Sequence, residues 1–478
     1  MNWVQETAIR KAMFRLVPFL IVCYFFAYID RVNVGFAALT MNKALGLDSA
    51  AFGFGAGAFF LTYFVFEVPS NLLLERVGAR KWIARIMLTW GVLSGLMAAI
   101  PTIAAETGLS TTTVFYALRM ALGAAEAGFF PGILYYLMLW FPSVYRARII
   151  GYFMAAVPFS SVIGAPLSGL LMKHMSGVAG LQNWQWLFII EAVPTLMLSA
   201  VVLLYLTDRP SDAGWLSIPE REWLVRRMDA ERRRREAIRK FSVWQALGHT
   251  RVLLLSCVCF GMAAAISGMA IFLPQIVRNF NLSLTAVGFV TAIPYLLGTV
   301  GSVWWGRRSD RLRERKEHVG LGILISGVAL AASTAIDDPV AKMIALSLTS
   351  FGVCAALPVF WTLPAAFLSG SAAAGGFAII SALGNLGGFV GPYLMGNIKN
   401  STGSFTIALL AIAALVVLAA LLALTLPHEE EAETGLDEVH VEPDAARQAA
   451  SGCATTVAPT AKGSGCIDVA TTSKADAA

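Results

Sequence analysis

Residues Arg119–Phe130 read RMALGAAEAGFF, which puts an arginine and a glutamate inside an apolar stretch long enough to cross a bilayer. An ionisable side chain at that depth costs at least about 2.5 kcal/mol on insertion scales, so it faces a polar cavity or a partner. Arg119 and Glu126 are seven residues apart, two helical turns, and therefore share one face. Gly123 thins that face between them, while Ala124, Ala125, Ala127 and Gly128 let other helices approach closely. A second pair, Asp30-Arg31, lies deep in the first apolar segment, CYFFAYIDRVNVGFAAL. These two pairs are where function is to be sought.

The surrounding chain has a membrane composition. Of 478 residues 57% are hydrophobic and only 14% charged, against about 25% charged in soluble domains. Apolar segments recur near 16–39, 51–74, 82–100, 112–140, 149–172 and 184–206, then near 251–274, 285–306, 319–336, 340–362, 374–397 and 404–426. Each is long enough to span a hydrocarbon core, and none shows the alternation of a barrel strand, so helices are required. The expectation is an all-α membrane protein of twelve spans. Residues 1–206 form an N-terminal six-helix bundle, 207–250 a central loop, 251–427 a C-terminal six-helix bundle, and 428–478 a disordered tail. The tail is acidic at first and then rich in Ala, Ser, Thr and Gly, too little apolar surface to order itself. The first segment runs on without a small-residue cleavage site and is expected to stay as a span.

Basic residues mark one side. They cluster at the N-terminus, in Arg76, Arg80, Lys81 and Arg85, in Arg146 and Arg148, in the central loop and from Arg307 to Lys316. By the positive-inside rule both termini and the central loop are cytoplasmic, and an inner (plasma) membrane is the expected location. The loop LPAAFLSGSAAAGG after Trp361 has no basic residue and is an exception. The net charge of +6 comes from these loops and calls for no nucleic acid. The run Arg232-Arg233-Arg234-Arg235 is read as an interfacial or orienting segment against anionic lipid. An internal repeat is visible. NLLLERVGARK follows the second span and GRRSDRLRERK the eighth, while GAPLSG in the fifth matches GGFVGP in the eleventh. Two bundles around a shared mid-membrane cavity follow from such a repeat.

Several chemistries are set aside. The six cysteines have neither metal-ligand nor disulfide spacing, and the five histidines fall in loops or the tail. No nucleophile–base set lies inside the spans, so no enzyme activity, metal or cofactor is expected. The expected partners are a small organic anion, protons and lipid, with a monomer as the working unit. Adjacent helical residues point about 100° apart. One of Asp30 and Arg31 can therefore face the cavity while the other reaches a neighbouring helix; a static packing network is the alternative. Arg31 offers a permanent positive charge to an anion. Glu126 is the better proton carrier, since its Ala, Gly and Phe neighbours disfavour its charged form and a nearby arginine favours it. A fixed Arg119–Glu126 brace is the alternative there. The second half offers neutral candidates only: Tyr295, Trp361, Ser381 and Asn385. ERVGARK and GRRSDR place Glu75, Arg76, Arg80, Asp310 and Arg311 at helix ends, where they mark topology or latch a gate.

Over about residues 10 to 427 the chain resembles the anion:cation symporter family of the major facilitator superfamily. The resemblance rests on YIDRVNVGFA, EVPSNLLLERVGARKW, RMALGAAEAGFFPG with the following WFP, and WQWLFIIEAVP with the later RPSDAGWL. It implies the major facilitator fold and proton-coupled import of a carboxylate such as tartrate or another hydroxy or aromatic acid; exchange or facilitation without proton coupling is the alternative. It also implies that Asp30, Arg31, Arg119 and Glu126 carry proton coupling and anion binding, and that Tyr63 and Asn385 contact substrate. The superfamily's loop motif has Gly and Asp where this chain has Asn71 and Glu75, and glutamate keeps the charge.

Overall fold

A computed structural model describes residues 3–142, 145, 149, 153–154, 156–236, 250–312, 314–364 and 370–426. The tail from 428, expected to be disordered, lies outside them, as do Arg146, Arg148 and part of the basic-free loop after Trp361. Among the described residues every regular element is a helix. The first half holds α1 (Trp3–Leu45), α2 (Ser49–Val77), α3 (Ala79–Leu96), α4 (Ile100–Thr107), α5 (Thr111–Glu126), α6 (Phe129–Trp140), α7 (Ala156–His174) and α8 (Asn183–Tyr205). A loop helix, α9 (Ile218–Glu236), follows. The second half holds α10 (Thr250–Arg278), α11 (Leu284–Leu312), α12 (Arg315–Ala332), α13 (Pro339–Phe360), α14 (Gly370–Thr402) and α15 (Phe405–Leu424).

Ten of these segments are long and apolar enough to cross a membrane, counting α3–α4 and α5–α6 as one each. The other two expected spans are α7 and α12, which starts in the charged run Arg315-Lys316-Glu317. Helix starts follow local chemistry. The Asp48 carboxylate accepts from Ala51 N at 2.7 Å, and the Ser110 hydroxyl from Thr113 N at 3.1 Å, so each cap satisfies an otherwise orphaned N–H. The fourth span breaks directly after Glu126, where Ala127 leaves the helix and Gly128 takes φ 85°. Only glycine adopts that backbone cheaply, and a Cβ there would meet the Ser70 hydroxyl at 2.3 Å.

The halves meet through glycines, and the contacts gather at one end. Cβ atoms built on Gly53 and Gly57 of α2 would strike Pro392 O and Phe389 O of α14 at 2.5 and 2.8 Å. On Gly169 of α7 and Gly288 of α11 they would strike each other's helix backbone at 2.9 and 2.6 Å, and on Gly35 of α1 the Ile271 O of α10 at 2.7 Å. Backbones this close are the small-residue packing that membrane helices use in place of a hydrophobic drive. All these positions lie at the helix ends away from the arginine-rich loops. The molecule is thus sealed on that face.

On the opposite face α9 docks on the start of α1. Lys11 Nζ lies 2.9 Å from Glu220, whose carboxylate also accepts from Ser217 N at 2.9 Å. Burial alone would raise the Glu220 carboxyl, but the Lys11 ammonium and the Ser217 donors hold it down to about 2.

Candidate functional site

The two residues of Asp30-Arg31 go separate ways, as their helical offset requires. Asp30 turns into the first half and is 1% exposed. Its Oδ2 accepts from Trp90 Nε1 at 3.0 Å and Thr195 Oγ1 at 2.9 Å, and its Oδ1 from Ser94 Oγ at 3.3 Å. The carboxylate ties α1 to α3 and α8. Arg31 turns the other way and donates from Nη2 to Glu126 Oε1. Its side chain keeps 18% exposure while Glu126 has 1%, so the arginine is the accessible member of the pair.

Arg119 does not brace Glu126. It reaches α2, where Nη2 donates to Ala56 O at 3.0 Å and Nε to Gly55 O at 3.4 Å, leaving Nη1 buried without a partner. One ring joins the two cations. The Phe59 centroid lies 5.1 Å from the Arg119 Cζ and 5.3 Å from the Arg31 Cζ. Tyr63, one turn on and buried, places its ring 5.3 Å from the same Arg31 carbon. Such cation–ring contacts are worth up to about 2 kcal/mol when desolvated and hold both guanidiniums in place. Gly123 makes this possible: a Cβ there would meet Phe59 O at 2.1 Å and Thr62 Oγ1 at 2.4 Å. Arg31, Arg119, Glu126 and Tyr63 therefore converge, and Asp30 lies behind them in its own polar cage.

The second half contributes unevenly. Asn385 Nδ2 donates to Glu67 Oε2 at 3.0 Å, a bond between α14 and α2. Tyr295 lines a cavity of about 10 Å³ with Ser161, Ser168 and Thr291, where α7 and α11 meet α1 and α10. Trp361 stacks on Phe377 with centroids 6.0 Å apart, and Ser381 is half-buried. Neither of these two is brought to the arginines by a described contact. At the expected gate Arg80 binds Asp208, with N to Oδ1 at 2.7 Å and Nε to Oδ2 at 3.9 Å, a clasp within the first half. Asp310 lies 4.0 Å from Arg315, and Glu75, Arg76 and Arg311 are exposed. Among the described residues no ion pair crosses from ERVGARK to GRRSDR.

Two acids escaped the sequence reading. Glu67 stands in FEVPSN of the second span and Glu191 in FIIEAVP of the sixth. The rule that singles out Glu126, a carboxylate at membrane depth, applies equally to both. Glu191 is 3% exposed, accepts from Ser168 Oγ at 2.8 Å and leaves Oε2 without a partner. Among the described residues no cluster of metal-ligating side chains occurs.

The Major Facilitator Superfamily model matches residues 20–278 and 253–456. The chain is 49% identical over 425 residues to a protein of Agrobacterium vitis provisionally named a tartrate transporter, covering 89% of this chain and 92% of that one. It is 40% identical over 406 residues to a quinolone resistance transporter of Acinetobacter baumannii, covering 85% and 91%. Its fold matches the inward open xylose transporter XylE of E. coli with a TM-score of 0.71 at 13% identity, over 88% of this chain and 99% of that one. These relatives are transporters and not enzymes, and the chain belongs to the Major Facilitator Superfamily, in the family its motifs resemble.

Proposed function

We propose that the protein is a proton-coupled symporter that imports a small organic carboxylate, of the tartrate or related hydroxy or aromatic acid type, by alternating access. One observation carries this reading: a partly accessible arginine, Arg31, is paired with a fully buried glutamate, Glu126, beside a second cation, where the fourth span breaks. A carboxylate substrate and Glu126 compete for the same guanidinium. When Glu126 takes a proton it releases Arg31, whose planar fork then binds the substrate carboxylate. Departure of substrate lets Glu126 ionise and re-form the pair, so proton and anion travel together. Arg119 and Tyr63 complete the anion side, and Asn385, Ser381, Tyr295 and Trp361 are assigned to the remainder of the substrate.

With the arginine-rich loops and both termini cytoplasmic, the sealed face is the outer one and the described state is inward-open. The driving force is then the pH gradient, plus about 2.3 kcal/mol per transferred charge per 100 mV. Asp30 is the second proton-coupling carboxylate, acting on α3 and α8 through its cage. The working unit is a monomer in an inner membrane.

The test is Glu126→Gln in proteoliposomes. The variant keeps substrate binding and counterflow, because a neutral residue leaves Arg31 open, and loses accumulation driven by a pH gradient. Undiminished uphill uptake would remove Glu126 from the mechanism. A second reading is organic anion exchange or facilitation without proton coupling, and the similarity to a transporter named for quinolone resistance keeps substrates other than small hydroxy acids in view. Substrate-induced alkalinisation outside wild-type vesicles separates the two.

A further inference from the structure

The Glu67–Asn385 bond has a place in the carrier that the Arg31–Glu126 exchange leaves unexplained. The contacts between α2 and α14 descend as rungs from the sealed face: Gly53 on Pro392, Gly57 on Phe389, Phe60 on Gly388, then Glu67 on Asn385. The last of these is polar: Glu67 accepts from Asn385 of α14 and stands four residues, about one helical turn, after Tyr63 on α2. The Tyr63 ring is 5.3 Å from the Arg31 Cζ of α1, and Glu126 is paired to that same arginine.

With both guanidiniums charged and Glu126 and Glu67 ionised, the charges around Arg31 cancel. Arg31 pairs with Glu126, Arg119 donates to α2 carbonyls and Glu67 accepts from Asn385, while Asp30 accepts from Trp90, Ser94 and Thr195 and Glu191 from Ser168. A singly charged acid restores neutrality when Glu126 takes one proton. A doubly charged acid does not: one excess negative charge would remain at membrane depth, costing at least about 2.5 kcal/mol. Glu67 is the carboxylate placed to absorb it, since it shares a helix face with Tyr63 beside Arg31, whereas Asp30 turns away into its cage of Trp90, Ser94 and Thr195. Its protonated form keeps a carbonyl oxygen to which Asn385 Nδ2 donates, so the bundles stay joined at this rung through a neutral bond in place of a charge-assisted one.

We infer that Glu67 is a further proton-binding group beside the arginines, in addition to Glu126 and Asp30, and that a dicarboxylate is carried with one proton more than a monocarboxylate. The inference rests on the carboxylate-transport reading above and extends it to substrate charge and proton number. Glu67→Gln is the permanently neutral form and preserves the bond to Asn385. In proteoliposomes with tartrate as the probe, the variant moves one proton fewer per tartrate than wild type. Its uptake carries one more negative charge inward, so an inside-negative potential slows it relative to wild type. A purified-protein measurement covers a variant that binds but does not transport: proton uptake on tartrate binding, read with a pH indicator, falls by one. An unchanged proton count in both measurements overturns the inference while leaving the transport reading intact. Loss of tartrate binding by the Gln variant also overturns it, since the neutral form is the one a dianion requires. If wild type neither binds nor moves tartrate or another dicarboxylate, the transport reading falls and this inference with it.

Discussion

At the scale of single residues, chemistry here is set by which neighbour each buried charge can reach. Asp30 accepts from Trp90, Ser94 and Thr195, three donors that have no water to fall back on. Removing the acceptor orphans them, at about 1–3 kcal/mol per group. Asp30→Ala is therefore expected to lower the thermal midpoint in detergent by several degrees, and Asp30→Asn by less, because one amide oxygen still accepts. A melting curve equal to wild type for the alanine variant would contradict the cage. Arg31 poses the opposite case, a charge whose shape matters. Arg31→Lys retains the charge but loses the two-pronged donor and the flat contact with Phe59 and Tyr63. Carboxylate affinity should weaken at least about tenfold, measured by equilibrium binding, for a loss of roughly 1.4 kcal/mol.

At the scale of elements, close approach and docking decide stability. Gly123 lets α5 lie against α2 with no room for a methyl group, since Phe59 O and Thr62 Oγ1 would both sit within 2.4 Å of it. Gly123→Val forces the helices apart, at about 1–3 kcal/mol for overpacking. A drop in melting temperature together with weaker substrate binding is expected, because Phe59 carries both arginines. The loop helix α9 gives a pH prediction with a definite sign. The Glu220 carboxyl titrates at about 2 when docked and at about 4.3 when unfolded. Its contribution is thus fully present above about pH 4.3 and is lost as pH falls towards 2. Lys11 is 49% exposed, so the contribution is on the order of 1 kcal/mol. Glu220→Gln should reduce protection of α9 against proteolysis at pH 7 and make no difference near pH 2. Equal proteolysis of both proteins at pH 7 would argue against docking through this pair.

At the scale of the whole molecule, one face is closed by backbone contact and can be wedged. Gly169 and Gly288 leave no space between α7 and α11. Gly169→Trp is expected to hold that seam open and shift the population to the opposite-facing state. In a cysteine-depleted background, Thr291→Cys beside the seam should then react with a membrane-impermeant thiol reagent from the sealed side. In the parent it stays protected, because Thr291 is 1% exposed. Transport by the wedged variant should fall at least about tenfold, since each cycle requires both faces to close in turn. Unaltered labelling would mean that this seam is not the outer closure.

Periodic hydrophobicity, the half-chain repeat and the charges at membrane depth were readable without coordinates, because lipid forces every span to be a helix and makes each buried charge conspicuous. That reading located Asp30, Arg31, Arg119 and Glu126, and it passed over Glu67 and Glu191 although both stand in apolar spans. Partner choice was not readable. Glu126 pairs with Arg31, ninety-five positions away, and not with Arg119 on its own helix face, because Arg119 finds the carbonyls of Gly55 and Ala56 first. Asn385 meets Glu67 across 318 positions of chain. Such pairings depend on how α2 lies against α5 and α14, a matter of glycine-permitted approach over long sequence separation. Composition and spacing alone therefore determined a helical carrier with charges at its centre, and only tertiary packing decided which charges neutralise one another and which face is shut.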